Sequence, residues 1–408
     1  MKRPLFAFII LLFLFTLSAC KPEYSAPAEL HRTWEHLAAA AKGSTVRMFM
    51  WTGDPYINRY MQDYVVPAVK TQFGIDLQIS SGQGNQLVSM MATELEAGQE
   101  TSSADMMWIN GETFYQLRQL NALYGPFLDR LPNSKLLNLD SPFINTDFQQ
   151  KVDGFEAPWG NVQMTFIYDT TRVQQPPQNR IALAEWIKAH PGRFTLDTQF
   201  AGLTFLKGML IDLAGDKNAL NGPFNEALYQ KYSKELWQYL TQLRPYFWRN
   251  GTTYPEGVAQ LHQLFANREI DFTMSNNDGE VDNKVLQGLF PPTARAYVWE
   301  IGTIQNSHFL GISAKSGNKA AAMVVINFLL SPAAQRKKME PQVWGDGTVL
   351  DLAKLGPKDR EAFSQIPGRK FAPDRITIQD RALMELAPAY MIRLAADFRT
   401  YMIEGKTP

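Results

Sequence analysis

The side chains able to do chemistry gather in four short segments: Trp51-Thr52-Gly53-Asp54, Ser81-Gly82-Gln83-Gly84-Asn85, Asn110-Gly111-Glu112 and Ser275-Asn276-Asn277-Asp278-Gly279-Glu280. Each follows an apolar run and mixes carboxylates or carboxamides with glycine, which allows a backbone to approach a ligand closely. Such segments suit recognition of a small polar solute. Gln83, Asn85, Asn110 and Glu112 would offer hydrogen bonds, and Trp51 a wall, although an aromatic there can equally pack under the next helix. Asn276 and Asp278 read as pocket residues or as Asx-turn formers, and Asp54 before Pro55 reads first as a helix cap. Catalysis has little support. His31, His36, His190, His262 and His308 form no His-Glu-x-x-His spacing, and there is no Gly-x-Ser-x-Gly elbow or Walker loop. Glu112 and Asp278 could be assembled into a glycosidase carboxylate pair, but any chain of this size offers such pairs. No catalytic residue, metal ligand or cofactor is assigned.

The elements that must position these segments alternate strand and helix. Val46 to Met50 reads as a strand; Gly53-Asp54-Pro55 starts a helix running through Phe73 with a kink at Pro67. Ile75 to Ile79 and Met106 to Ile109 are further strands, with helices over 87–96 and from Phe114 onward. Three βα units in succession predict a mostly parallel sheet. Past Trp159, strands are expected over 162–168, 193–195, 270–274, 297–304 and 309–312. Helices are expected over 181–189, 203–213, 228–243, 258–266 and 319–330. In open α/β sheets, ligands bind beyond the carboxyl ends of strands, where all four polar segments fall.

The chain has 408 residues, 45% hydrophobic and 20% charged, with 40 Lys plus Arg against 40 Asp plus Glu. That is ordinary globular usage with no electrostatic footprint for nucleic acid. Met1-Lys2-Arg3 and the apolar run from Leu5 to Leu17 form a secretory leader too short to span a bilayer. It ends in Leu17-Ser18-Ala19-Cys20, a lipobox whose cysteine, the only one in the chain, becomes the acylated first mature residue. The expected plan is a signal peptide over 1–19 and a lipidated tether over 20–43, in which Leu30 to Ala41 could form a short helix, placing the protein in the periplasm or at the cell surface on a lipid anchor.

Later segments carry a family resemblance. Ala157-Pro158-Trp159-Gly160, Phe166-Ile167-Tyr168-Asp169 and the helix from Ala320 through Phe328-Leu329-Leu330-Ser331-Pro332 to Gln335 resemble the extracellular solute-binding lipoproteins of ABC importers. Trp108-Ile109-Asn110-Gly111-Glu112, His190-Pro191-Gly192-Arg193-Phe194-Thr195, Gly302-Thr303-Ile304 with His308-Phe309, and Trp344-Gly345-Asp346 resemble the YnjB-like branch. The resemblance implies an α/β fold of the two-lobed, type II periplasmic-binding-protein kind, with two hinge crossings. Lobe 1 would hold 44–160 with 295–408, and lobe 2 would hold 161–294. It also implies a monomer that takes a small solute between its lobes and delivers it to a permease and its ATPase. Trp159 and Thr303, at the crossings, become candidate contacts, core packing remaining the alternative for Trp159. The four segments hold Asp54, Glu112, Asp278 and Glu280 but no Lys or Arg, which favours an organic cation such as thiamine or a polyamine, with a neutral sugar next. A lipid-anchored hydrolase and a ligand-sensing surface lipoprotein are the competing classes.

Overall fold

A computed structural model describes residues 32–408. The leader, Cys20 and the first part of the tether lie outside the described residues. Within the expected tether the described residues hold a short helix. Trp34–Ala41 is a helix capped by Thr33, and its Leu37 and Ala41 are fully buried in the first core against the helix Lys319–Leu329.

Lobe 1 is built on a seven-stranded sheet. Its main path runs Ala382–Met384, Thr303–Ser313, Met106–Ile109, Thr45–Met50, Asp76–Ser81, and Leu123–Tyr124 and Glu156–Gln163 also pair with Thr303–Ser313. The first three strands of the chain are parallel, as the βα repetition predicts, whereas Thr303–Ser313 runs antiparallel to both Met106–Ile109 and Glu156–Gln163. Consequently the carboxyl ends of the three parallel strands, the start of Thr303–Ser313 and the end of Glu156–Gln163 all lie at one edge. Apolar cores cover both faces of the sheet. The helix Lys319–Leu329 is buried from Ala321 to Ile326, which accounts for its unbroken apolar sequence.

Lobe 2 has a three-stranded antiparallel sheet in the order Ala294–Tyr297, Thr165–Asp169, Phe272–Ser275, wrapped by helices that include Arg180–Ala189, Phe200–Ala214, Glu226–Leu243 and Val258–Ala266. Three local expectations differ. The run 162–168 breaks at Met164 into two strands, where the chain passes between lobes, and the run 297–304 is split by a turn at Trp299–Gly302. Arg193 to Thr195 forms no strand; Arg193 instead pairs with Asp271 at 2.6 Å.

Besides the two expected crossings, at 163–165 and 297–303, the chain crosses a third time. Ala382–Met384 lies on the lobe 1 sheet, but the helix Pro388–Phe398 buries Tyr390, Leu394 and Phe398 in the lobe 2 core against Phe200–Ala214. The expected assignment of 295–408 to lobe 1 therefore fails at both ends, since Ala294–Tyr297 lies in the lobe 2 sheet and Pro388–Phe398 in the lobe 2 core. Hydrophobic periodicity marks an amphipathic face without saying which core receives it.

Candidate functional site at the interlobe seam

The lobe 1 wall follows from the parallel strands. Thr52 Oγ1 donates to Ser81 Oγ at 2.9 Å, joining the first two strand ends, and a Cβ built on Gly84 would lie 3.8 Å from Glu112 Oε1, so the second and third loops meet there. Gly111 is compelled by packing: a Cβ would fall 2.0 Å from the Phe148 ring. Asp54 caps its helix, accepting from Tyr56 N at 2.7 Å and Ile57 N at 3.2 Å. Trp51 and Asn110 are half-buried, and Gln83 and Asn85 are exposed. Glu112 is half-buried, yet its Oε2 is shielded from solvent and accepts no hydrogen bond. Burial pushes its carboxyl above the ordinary range.

The lobe 2 wall follows Phe272–Ser275. Ser275 Oγ accepts from Asn277 N at 3.0 Å and Asn277 Oδ1 from Gly279 N at 2.9 Å, the side-chain turn that Asn predicts. Asn276 is half-buried with Oδ1 enclosed and unpartnered. Gly279 sits so close to lobe 1 that a Cβ would be 2.3 Å from the Gly345 carbonyl.

The acids of these segments do not stand alone, contrary to the expectation of an uncompensated acidic surface. Lys284, 5% exposed, bonds Asp54 across the seam and Glu280 at 2.9 Å within its own helix. Burial would raise Glu280, but Lys284 and His262 hold it down to about 2. Asp278, 1% exposed, accepts from Gln163 N at 3.0 Å and from Arg375 Nε and Nη2 at 2.9 and 3.0 Å, and also pairs with Arg369. Burial again opposes ionisation, and the two guanidiniums overcome it, keeping Asp278 below the usual carboxylate range. A carboxylate held this way is a poor glycosidase partner for Glu112, so the hydrolase reading loses its second acid. Lys284, Arg369 and Arg375 escaped the sequence reading because 230, 91 and 97 residues separate them from the acids they meet.

Trp159 falls on the core-packing side of its two readings. It is fully buried, edge-on to Trp108 at 5.1 Å and to Trp344 at 5.3 Å, and is a core residue of lobe 1 rather than an exposed platform. Thr303, 4% exposed, accepts from Gln163 Nε2 at 3.1 Å, so it ties the first crossing to the second. Beside them lies a cavity of about 180 Å³ walled by Asn161, Gln163, Gln305, Asp278, Arg375 and Gln379.

A second cluster was invisible in the sequence. Lys207 of lobe 2, fully buried, reaches Glu385 at 2.8 Å and lies 4.1 Å over the Phe148 ring. Near it, Asp147 and Glu156 are buried with both carboxylate oxygens unpartnered. Desolvation raises both well above the ordinary range; Glu112 and Glu385 add to the rise at Asp147, and Asp147 to that at Glu156.

This geometry, two α/β lobes meeting along a polar seam and threaded by extended crossings, is shared with known proteins. Residues 56–364 match the family model described as bacterial extracellular solute-binding protein. Protein YnjB of Escherichia coli (strain K12) is 38% identical over 339 residues, covering 82% of this chain and 87% of YnjB. Among solved structures, a putative spermidine/putrescine ABC transporter from Listeria monocytogenes superposes with a TM-score of 0.62 at 15% identity, covering 88% of this chain and 99% of that one. Iron-bound HitA from Pseudomonas aeruginosa superposes with a TM-score of 0.61 at 14% identity over 88% and 99% of the two chains. These structures share the type II periplasmic-binding fold, and the family whose model matches is one of solute-binding proteins. The chain belongs to the bacterial extracellular solute-binding protein family.

Proposed function

We propose that the protein is the extracytoplasmic receptor of an ABC importer and that it captures an organic cation, of the polyamine or thiamine class, between its lobes. The observation that carries the charge is Glu112. Among the acids of the four segments, Asp54, Asp278 and Glu280 are neutralised by lysine or arginine, whereas Glu112 forms no ion pair among the described residues: its Oε1, beside Gly84, accepts only from Thr113 Oγ1 at 3.4 Å, and its Oε2 is shielded without a partner. A cationic group placed beside that carboxyl would favour its ionised form, opposing the burial that raises it. Trp51, Gln83, Asn85 and Asn110 would complete the lobe 1 side and Asn276 the lobe 2 side, with Asp278 and Thr303 fixing the crossings beneath. A neutral sugar is the second reading; it loses one stacking face because Trp159 is enclosed. The fold alone does not choose, since polyamine and iron proteins share it.

The test is calorimetry of the best ligand from a solute screen. The ligand should be cationic, and Glu112→Gln should weaken it by at least about 1 kcal/mol, as for a lost hydrogen bond to a charged group. An anionic best ligand, or unchanged affinity in Glu112→Gln, defeats the reading. The anchor is proposed at Cys20, with a permease and its ATPase as partners of a monomeric receptor. A Cys20→Ser variant should remain as uncleaved precursor, and acylation at Cys20 is rejected if that variant is processed and partitions with membranes as the wild type does.

A further inference from the structure

One short hairpin of lobe 1 reaches into the other lobe. Thr146–Asp147 pairs antiparallel with Gln150–Lys151, and the residues on either side, Ile144 and Val152, are buried in the cores of lobe 1. The tip goes elsewhere. Phe148 is enclosed in the lobe 2 core, with its ring 6.2 Å from that of Phe200 and 4.1 Å from the Lys207 ammonium, both on the helix Phe200–Ala214. Gln149 beside it donates to the Glu385 carbonyl at 2.7 Å and accepts from Gly222 N of lobe 2 at 3.3 Å. Local sequence preference opposes this turn. Phe148 and Gln149 have φ of 44° and 64°, left-handed values that a two-residue hairpin turn demands and that asparagine and glycine adopt far more readily than a ring or a long side chain. Such a backbone persists where surrounding contacts hold it, and for this tip those contacts lie in the opposite lobe.

At the root of the hairpin stands Asp147. The charged groups around it are Glu112 from the helix Gly111–Gln119, Glu156 from the strand Glu156–Gln163, Glu385 just after the strand Ala382–Met384, and Lys207 from lobe 2, with Arg118 near Glu156. Lys207 is taken by Glu385 at 2.8 Å, and Arg118 lies 3.6 Å over the Phe155 ring rather than pairing with Glu156. Both oxygens of Asp147 and both of Glu156 are enclosed and accept no hydrogen bond among the described residues. Four carboxyls so placed cannot all be charged, because water is excluded and like charges in one site oppose ionisation. Burial raises Asp147 well above the usual carboxylate range, Glu112 and Glu385 raise it further, and Lys207 and the nearby Gly111 amide offset this only in part. Its carboxyl is therefore protonated while the hairpin is seated, and water reaching it on withdrawal restores the ionised form.

We propose that this hairpin is a proton-dependent clasp between the lobes: Phe148 sits in lobe 2 while Asp147 holds its proton, and parting of the lobes withdraws the ring, hydrates Asp147 and releases that proton to solvent. Acid therefore favours the clasped form, and the clasp weakens as pH rises through the seated-state value of Asp147. The device rests on the receptor reading only in that the lobes must part to admit a solute; it does not depend on the charge of that solute. The test is amide hydrogen exchange of the full-length protein without solute, read by mass spectrometry between pH 6 and 9 and corrected for intrinsic rates. Exchange over 146–151 should quicken by about tenfold per pH unit, the slope for one linked proton, while the strand Thr45–Met50 and the helix Glu226–Leu243 keep their protection. Asp147→Asn should hold the hairpin protected across the range. Phe148→Ala should leave it unprotected at every pH with both lobe cores intact, a readout that stands even if Asp147→Asn fails to fold. Hairpin exchange that does not vary with pH in the wild type, or that quickens only together with both cores, overturns the proposal. So does an Asp147→Asn protein with the wild-type slope, or a Phe148→Ala hairpin as protected as the wild type.

Discussion

Lys284 is the ammonium that ties the lobes on the Asp54 side, and replacing it with methionine keeps the stem while deleting the charge. Its side chain is 5% exposed, so water cannot take its place. Asp54 would retain the backbone amides of Tyr56 and Ile57, and Glu280 would retain His262 at 3.7 Å. The magnitude follows from Glu280, whose carboxyl lies at about 2 against an ordinary 4.5, despite burial that acts the other way. A shift of that size is worth about 3 kcal/mol of stability at neutral pH, at the lower edge of the roughly 3–5 kcal/mol expected on breaking a buried pair. Lys284→Met should therefore lose about 3 kcal/mol in urea denaturation at pH 7, followed by tryptophan fluorescence. Because the folded-state value is depressed, this contribution is full above pH 4.5 and is lost as pH falls through about 2. The gap between wild type and variant should narrow over that window. A loss below about 1 kcal/mol, the worth of an exposed ion pair, or a gap that does not change with pH, would refute the reasoning.

The enclosed acids Glu112, Asp147 and Glu156 titrate in the opposite sense. Burial raises them, so the folded state binds more protons than the unfolded chain and stability declines as pH rises from the ordinary carboxyl range toward their folded-state values. Asp147→Asn with Glu156→Gln should flatten that decline in thermal midpoints between pH 5 and 9; a double variant as steep as the wild type counts against it. Lys207→Met leaves Glu385 without its cation and should cost roughly 3–5 kcal/mol. Adding Glu385→Gln should recover part of the loss, and a double variant no more stable than Lys207→Met excludes a paired role.

Local order was legible wherever a neighbour in sequence supplies the physics. Gly53-Asp54-Pro55 encodes a turn, a cap and a first helical residue within three positions, and the structure places each there. Alternating βα patterns announced the parallel strands, and with them the edge at which the polar loops collect. The family was readable because motifs spread over the chain are each local. Trp159 was undecided in the sequence, since an aromatic after a proline packs inward or outward according to what closes over it, here Trp108 and Trp344. The segment that forms the helix Pro388–Phe398 was expected in lobe 1 with the rest of 295–408, because nothing local says which core receives its apolar face; the third crossing delivers it to lobe 2.

The charge of the site belongs to tertiary structure alone. Four polar segments without a single Lys or Arg look acidic when read in order, yet folding brings Lys284 to Asp54 and Arg369 and Arg375 to Asp278. Coulomb energy falls with separation in space and grows as water is excluded, and neither quantity is a function of position along the chain. The sequence by itself determined most of the elements, the family and the polar loops that follow the strands; the folded chain decided which of those loops face one another, and which of their acids are neutralised and which, like Glu112, are left without a cation.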